Sequence, residues 1–169
     1  MRNKSARRRA EYGKAVLESA LVSMPPEVLA READSIVVGT VTAKVETGLV
    51  KFPALEGEIT YTDHFIQVDH YLKSPMGQEE LLVRTLGGTV EGLSIDAPDE
   101  PEFTPGERVV LFLCKDTGEL FDLPEEGFTV LGLFQGKYTV IDKGESVWAP
   151  HLREPTSLSK LADMIGSAE

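Results

Sequence analysis

The sequence predicts a mainly β chain: a small antiparallel barrel of Greek-key type, with a helix at each end and an immunoglobulin-like sandwich as the alternative. Three observations lead there. Segments rich in Val, Ile, Thr and aromatic residues recur between residues 34 and 148, separated by Gly, Pro and Asp turns. Helix-period apolar spacing occurs only towards the two ends, so there is no βαβ alternation. The length, 169 residues, is that of one domain, and a chain of this mass buries roughly two thirds of its unfolded surface without needing staples. Five strands in a closed barrel fit that size. A sandwich usually lacks a C-terminal helix, and the Cys…Trp…Cys core of antibody domains is absent here.

The elements follow in order. An amphipathic helix is expected over roughly residues 6–23, with Leu17, Ala20, Leu21 and Met24 on one face. Pro25-Pro26 opens a short helical turn whose apolar side is Val28, Leu29 and Ala33. Ser35 to Val45, dominated by β-branched residues, is the first long strand, and Gly39 marks a bulge within it. After a Gly- and Pro-bearing loop, Ile59 to Leu72 forms a second long strand, broken by Ser74-Pro75-Met76-Gly77. Glu80 to Leu86 is the third strand, and Gly87-Gly88 is read as a tight turn into Thr89 to Leu93. Asp96 to Gly106 holds three prolines and four acids and reads as a polar connector. Glu107 to Cys114 is a strand followed by an acidic loop. Phe128 to Phe134, Lys137 to Ile141 and Glu145 to Trp148 make a meander with turns at Gln135-Gly136 and Asp142-Lys143-Gly144. A last helix over 156–166, capped by Thr156 or Ser157, carries Leu158, Leu161, Ala162 and Ile165 on one stripe. The domain division is therefore a leader, residues 1–26, and a single domain, residues 27–169.

Charge sharpens this division. The whole chain has a net charge of −11. Residues 1–14 carry six basic residues and one acid, a net of +5, which leaves 11 basic and 27 acidic residues, a net of −16, for the rest. An acidic body of this strength disfavours nucleic acid as a partner of the barrel, and its natural complement is a cationic protein surface. No apolar run is long enough to predict a transmembrane segment. As an export signal the leader is poor: Glu18 interrupts its apolar stretch, no A-x-A cleavage site follows, and Arg7-Arg8-Arg9 lacks the apolar run that a twin-arginine signal needs.

The motif order Ala33-Asp34-Ser35-Ile36-Val37-Val38-Gly39-Thr40-Val41, Tyr61-Thr62, Leu72-Lys73, Val83 to Gly88, Phe103-Thr104-Pro105-Gly106-Glu107, then Gly132 with Gln135-Gly136-Lys137-Tyr138 resembles an uncharacterised prokaryotic family. Its members are small, often exported proteins, similar in outline to OB-like barrels of the netrin/TIMP type. The resemblance covers roughly residues 27–148. It implies an OB-like barrel, export and a binding role, with no agreed activity to carry over. Export in that family goes with a good signal peptide, so the leader departs from the pattern and leaves the compartment open between exported and cytoplasmic.

No chemical signature stands out. There is no G-x-S-x-G, H-E-x-x-H or G-x-x-x-x-G-K-[ST]. Asp63-His64 and Asp69-His70 echo each other, but six strand residues span about 20 Å, too far for one ion, so both pairs read as surface polar residues and no metal is expected. Clustered carboxylates such as Asp99, Glu100 and Glu102 read as solvated charge. The single cysteine, Cys114, closes an apolar strand and reads as a buried or half-buried core thiol. The glycines at 87, 88 and 92 lead into a strand rather than a helix, so they lack the dipole of a phosphate loop. No cofactor is expected. The functional expectation is a non-enzymatic binding module with a protein partner rather than a small molecule. The alternatives are an inhibitor or accessory domain of an extracellular peptidase, then a hydrolytic enzyme. Arg84, Gln135 and Lys137 are the residues expected near its functional surface.

Overall fold

The computed structural model describes residues 14–16, 23–51, 58–116 and 127–168. Strands dominate: β1 (Lys14–Val16), β2 (Ser35–Lys51), β3 (Glu58–Lys73), β4 (Glu80–Leu86), β5 (Gly88–Val90), β6 (Leu93–Asp96), β7 (Arg108–Asp116), β8 (Gly127–Val130), β9 (Lys137–Ile141), β10 (Ser146–Trp148) and β11 (Thr156–Ser157). Two helices, α1 (Pro26–Glu32) and α2 (Leu158–Ala168), complete the described residues together with 3-10 turns at Leu133–Gly136 and Asp142–Gly144. No helix among them is long and apolar enough to cross a membrane.

The pairings run in a circuit. β2 pairs antiparallel with β3, and β3 with β4. β4 meets β8 in parallel through Val83 and Phe128. β8 pairs antiparallel with β7, and β7 with β2, which returns to the start. The edge of β7 away from β2 is shared: Val109–Leu111 takes β9, and Leu113–Asp116 takes β8. β10 and β11 extend from β9. A smaller sheet, β1-β6-β5, stands apart.

Packing explains why β2 and β7 read as unbroken apolar runs. Val37, Val41, Val109, Leu111 and Leu113 enter one core with Ile66, Leu81, Val83, Phe103, Phe128 and Val130. Their neighbours Ile36, Val38, Val110 and Phe112 enter another, beneath Leu29 and Ala30 of α1 and Leu161 and Ile165 of α2. Both faces of these strands are thus buried, and alternation disappears. A third cluster, Val50, Ile59, Tyr61 and Ile95, lies with β6.

The β2–β3 ladder slips at Val38/Gly39, where Gly39 was expected to mark a bulge. A Cβ on Gly39 would lie 2.6 Å from the Gln67 carbonyl oxygen and 2.8 Å from Ile66 Cγ2. Gly39→Ala therefore destabilises the chain by about 1–3 kcal/mol. Urea unfolding reads this as a lower midpoint at constant slope; an unchanged midpoint would mean the bulge has room to spare.

Several expectations need correction. The helix expected over residues 6–23 lies mostly outside the described residues, and the part that is described, Lys14–Val16, is a strand paired in parallel with β6. Gly87-Gly88 is not the hairpin turn. The chain continues extended into β5 and turns at Glu91-Gly92, where φ is 49° and 79°. Gln135-Gly136 belongs to a 3-10 turn rather than a two-residue hairpin. The last helix begins at Leu158, two residues later than expected. Thr156 and Ser157 form a short strand, and of the two expected caps Ser157 serves, its hydroxyl accepting the Lys160 N–H at 3.3 Å. Most of the acidic loop after Asp116 lies outside the described residues.

Candidate functional site

The connector between β6 and β7, residues 97–107, organises the most distinctive chemistry of the molecule. Three prolines and four acids made it look solvated, yet it is anchored along its length. The Phe134 N–H donates to the Asp99 carbonyl at 3.0 Å, and the Gly106 N–H to the Val41 carbonyl at 2.7 Å. The Val41 N–H donates to the Glu107 carbonyl at 2.9 Å, and the Thr104 N–H to the Glu107 carboxylate at 2.7 Å. Pro101 and Phe103 are buried. With its backbone groups satisfied in this way, the connector is a wall rather than a free loop.

A cavity lies on each side of this wall. The smaller, about 160 Å³, is bounded by Thr62 and His64 of β3, Thr85 of β4, the Gly87-Gly88 backbone and the connector. The larger, about 440 Å³, is an open groove between the connector and the β9–β10 side, with Phe134, Lys137, Thr139, Trp148 and Pro150 opposite Glu102 and Glu107. Pro98, Glu100, Pro101 and Glu102 line both.

His64 is buried, not a surface residue as expected from the Asp-His echo. Its Nε2 lies 2.9 Å from the Thr85 hydroxyl, and its ring packs on Phe103 with centroids 4.4 Å apart. Its Nδ1 has no hydrogen-bond partner among the described residues. Burial, aided by the positive charges of Lys44 and Lys137, pushes its pKa down to about 4, so the ring is neutral at pH 7. Across the cavity, burial pushes the Glu100 carboxyl up to about 8; an N–H from the Leu86 backbone opposes the rise, and Asp99 adds to it. Glu100, expected as solvated charge, is half-buried, and a pKa near 8 leaves its carboxyl mostly protonated at pH 7. The other unpartnered buried group, the Tyr138 hydroxyl, lies in the core under the helices and lines neither cavity. The Cys114 thiol is half-buried, and burial lifts it to about 11. It is no nucleophile at neutral pH.

The three residues expected near a functional surface are not brought together. Arg84 is buried on the face of β4 opposite Val83, its Nε 2.9 Å from the Asp63 carboxylate directly opposite it in register. Gln135 is also buried: its Oε1 accepts the Met24 N–H at 2.9 Å and its Nε2 donates to the Gly132 carbonyl at 3.2 Å. It ties the chain entering α1 to the 3-10 turn. Lys137 alone lines the groove, where its ammonium braces the connector. It donates to Glu107 at 2.8 Å and to the Glu102 carbonyl, and stands 5.1 Å above the Phe103 ring.

Sequence reasoning missed His64, Glu100, Phe103 and Trp148. One signal was available for His64: two residues before the core residue Ile66, it shares that residue's face. Among the described residues no group of three or more His, Cys, Asp or Glu is arranged to hold a metal ion. No protein family matches this chain, and no curated protein does.

Proposed function

We propose that the chain is a non-enzymatic protein-interaction module on an OB-like barrel, and that its groove receives a cationic segment of a partner protein. The barrel reading is supported by the strand order β2-β3-β4-β8-β7 and back to β2. In that order the fourth and fifth strands exchange places, so that the fifth, β8, meets the third, β4, in parallel, an arrangement of Greek-key type.

The groove reading rests on one observation above the others. Trp148 is 41% exposed on the groove wall. An exposed tryptophan on a concave surface, flanked by Phe134 and three prolines, has the composition of an interface anchor. The sign of the partner follows from the carboxylates of Glu102 and Glu107, which outnumber Lys137 among the described lining residues, with Glu100 beside them able to ionise when a cation approaches.

Trp148 is also the only tryptophan of the chain, so its emission reads the groove alone. Peptides selected from a random display library against the intact protein are expected to be enriched in Lys and Arg and to shift Trp148 emission to shorter wavelength. Trp148→Ala should weaken them at least ten-fold, about 1.4 kcal/mol or more. Selected peptides without a charge preference, or with affinity and emission indifferent to Trp148, would overturn the reading.

A further inference from the structure

We propose that the smaller cavity is a receptor for one cationic side chain of the partner, with the Glu100 carboxylate as counter-ion and the His64 ring as part of its wall. The inference rests on the groove reading for the source of that side chain, because Pro98, Glu100, Pro101 and Glu102 belong to both cavities. A side chain that crosses this shared wall passes from one into the other.

Size comes first. A cavity of about 150 Å³ accommodates a six-membered ring, and this one has about 160 Å³. It therefore admits an unbranched lysine or arginine side chain, whose methylenes find Ile95, Pro98, Pro101 and Phe103 along the walls. Hydrogen-bonding capacity comes second. The interior offers acceptors in excess of donors. The Thr62 hydroxyl already donates to the Gly87 carbonyl at 2.8 Å, and the Leu86 N–H is turned on Glu100. His64, 3% exposed, has a ring nitrogen with no partner, which is an acceptor in the tautomer whose Nε2–H donates to the Thr85 hydroxyl. A ligand that satisfies such a site brings several N–H donors, and an ammonium or a guanidinium does so with the charge that a buried carboxylate lacks.

Charge comes third. Glu100 is faced by Asp99 and Glu102 on its own connector, Asp96 of β6, His64 of β3 and Lys44 of β2, with Glu107 and Lys137 across the wall. Among these, Lys44 is exposed at the rim and Lys137 is paired with Glu107. Away from any cation the Glu100 carboxyl keeps its proton, since its pKa is about 8. Entry of a cation displaces that proton, which leaves for solvent, and a carboxylate–cation pair forms. Affinity then rises as pH rises and levels off above about 8. Between pH 6 and pH 8 the gain is about fifty-fold, the ratio of ionised fractions for one titrating group.

The test uses the full chain and three capped tripeptides, acetyl-Gly-X-Gly-amide with X lysine, arginine or norleucine, followed by NMR at the amides of Leu86, Gly87 and Gly88. Saturable shifts are expected with the lysine or the arginine peptide, and which of the two binds more tightly identifies the side chain. Norleucine, which keeps the methylenes and lacks the charge, should produce none. Glu100→Gln replaces the protonated acid with an amide of the same shape; it should keep the fold, read by unchanged Trp148 emission, and lose both the binding and its pH dependence. The assignment is overturned if norleucine binds as well as lysine, if affinity is the same at pH 6 and pH 8, or if Glu100→Gln binds normally. Selected peptides that need lysine or arginine and move Trp148, with tripeptides that leave Leu86, Gly87 and Gly88 unshifted, would sink this cavity and leave the groove. Tripeptides that bind at Gly87 and Gly88, with selected peptides that leave Trp148 unmoved, would sink the groove and leave the cavity.

Discussion

Arg84→Ala is expected to destabilise the chain by about 3–5 kcal/mol, the cost of stranding one member of a buried ion pair. The Arg84 and Asp63 side chains are 3% and 9% exposed, and their charged groups meet at 2.9 Å. They stand directly opposite each other on β3 and β4. Removing the guanidinium takes from the buried Asp63 carboxylate the cation that stands opposite it. It also removes the support beneath β8: a Cβ on Gly127 would lie 3.3 Å from Arg84 Nη1, so the backbone there rests on the guanidinium. For a chain of this length each kcal/mol lowers the melting temperature by about 2–4 °C, so a fall of roughly 6–20 °C is expected. Urea unfolding gives the free energy directly. Arg84→Lys keeps the charge without the planar fork and should fall between the wild type and Arg84→Ala. The double variant Asp63→Leu/Arg84→Met removes both charges at similar volume and should recover most of the loss. If the double variant is as unstable as Arg84→Ala, the role of the pair is packing and not charge.

That same pair shows where reading the chain from its residues succeeds and where it stops. The strands were readable because their causes are local: β-branched runs, Gly and Pro punctuation, and the unbroken apolar stretches of two-sided strands. β4 and β9 fall at the residues the sequence predicts. Arg84 was read as a surface residue because a charge is normally outside, and a carboxylate 21 residues away helps to make its burial tolerable. No local pattern contains that partner. Glu100 is misleading for a similar reason. Its prolines and acidic neighbours are those of a solvated linker. Burial comes from anchors on β2 and the Leu133–Gly136 turn, which lie far off in sequence. The turn after β4 fails differently. Gly87-Gly88 and Glu91-Gly92 both carry turn chemistry, and which of them turns is decided by the pairing of β5 with β6. The leader was read from helical spacing alone, and the strand at Lys14–Val16 exists only because β6 lies alongside it. What was missed in the site is thus what depends on long-range contact.

The second large effect is a stability profile against pH that His64 and Glu100 shape in opposite directions. The folded chain keeps His64 neutral down to about 4, whereas an unfolded histidine takes up its proton near 6.5. Between these values the unfolded state binds more protons, so this group adds stability as pH rises from about 4 to about 6.5. Glu100 behaves inversely. Folded, it keeps its proton up to about 8, whereas unfolded it loses it near 4.5. Between these values the native state binds more protons, and stability falls as pH rises, by at most about 1.4 kcal/mol per pH unit. The two slopes oppose each other from about 4.5 to 6.5. Above 6.5 the glutamic acid acts alone, so the wild type should lose stability from about pH 6.5 to 8 in urea unfolding. Glu100→Gln, which has no proton to hold, should lose that descent and end more stable than the wild type at pH 8.5, while the rise below 6.5 due to His64 becomes steeper. His64→Asn should do the reverse, cutting the rise to the part that His151, also lowered by burial, supplies and keeping the descent. A wild type and a Glu100→Gln variant with parallel profiles from pH 6.5 to 8.5 would show that Glu100 is ionised in the folded chain. The site would then hold its negative charge before any partner arrives, and binding of a cation would release no proton.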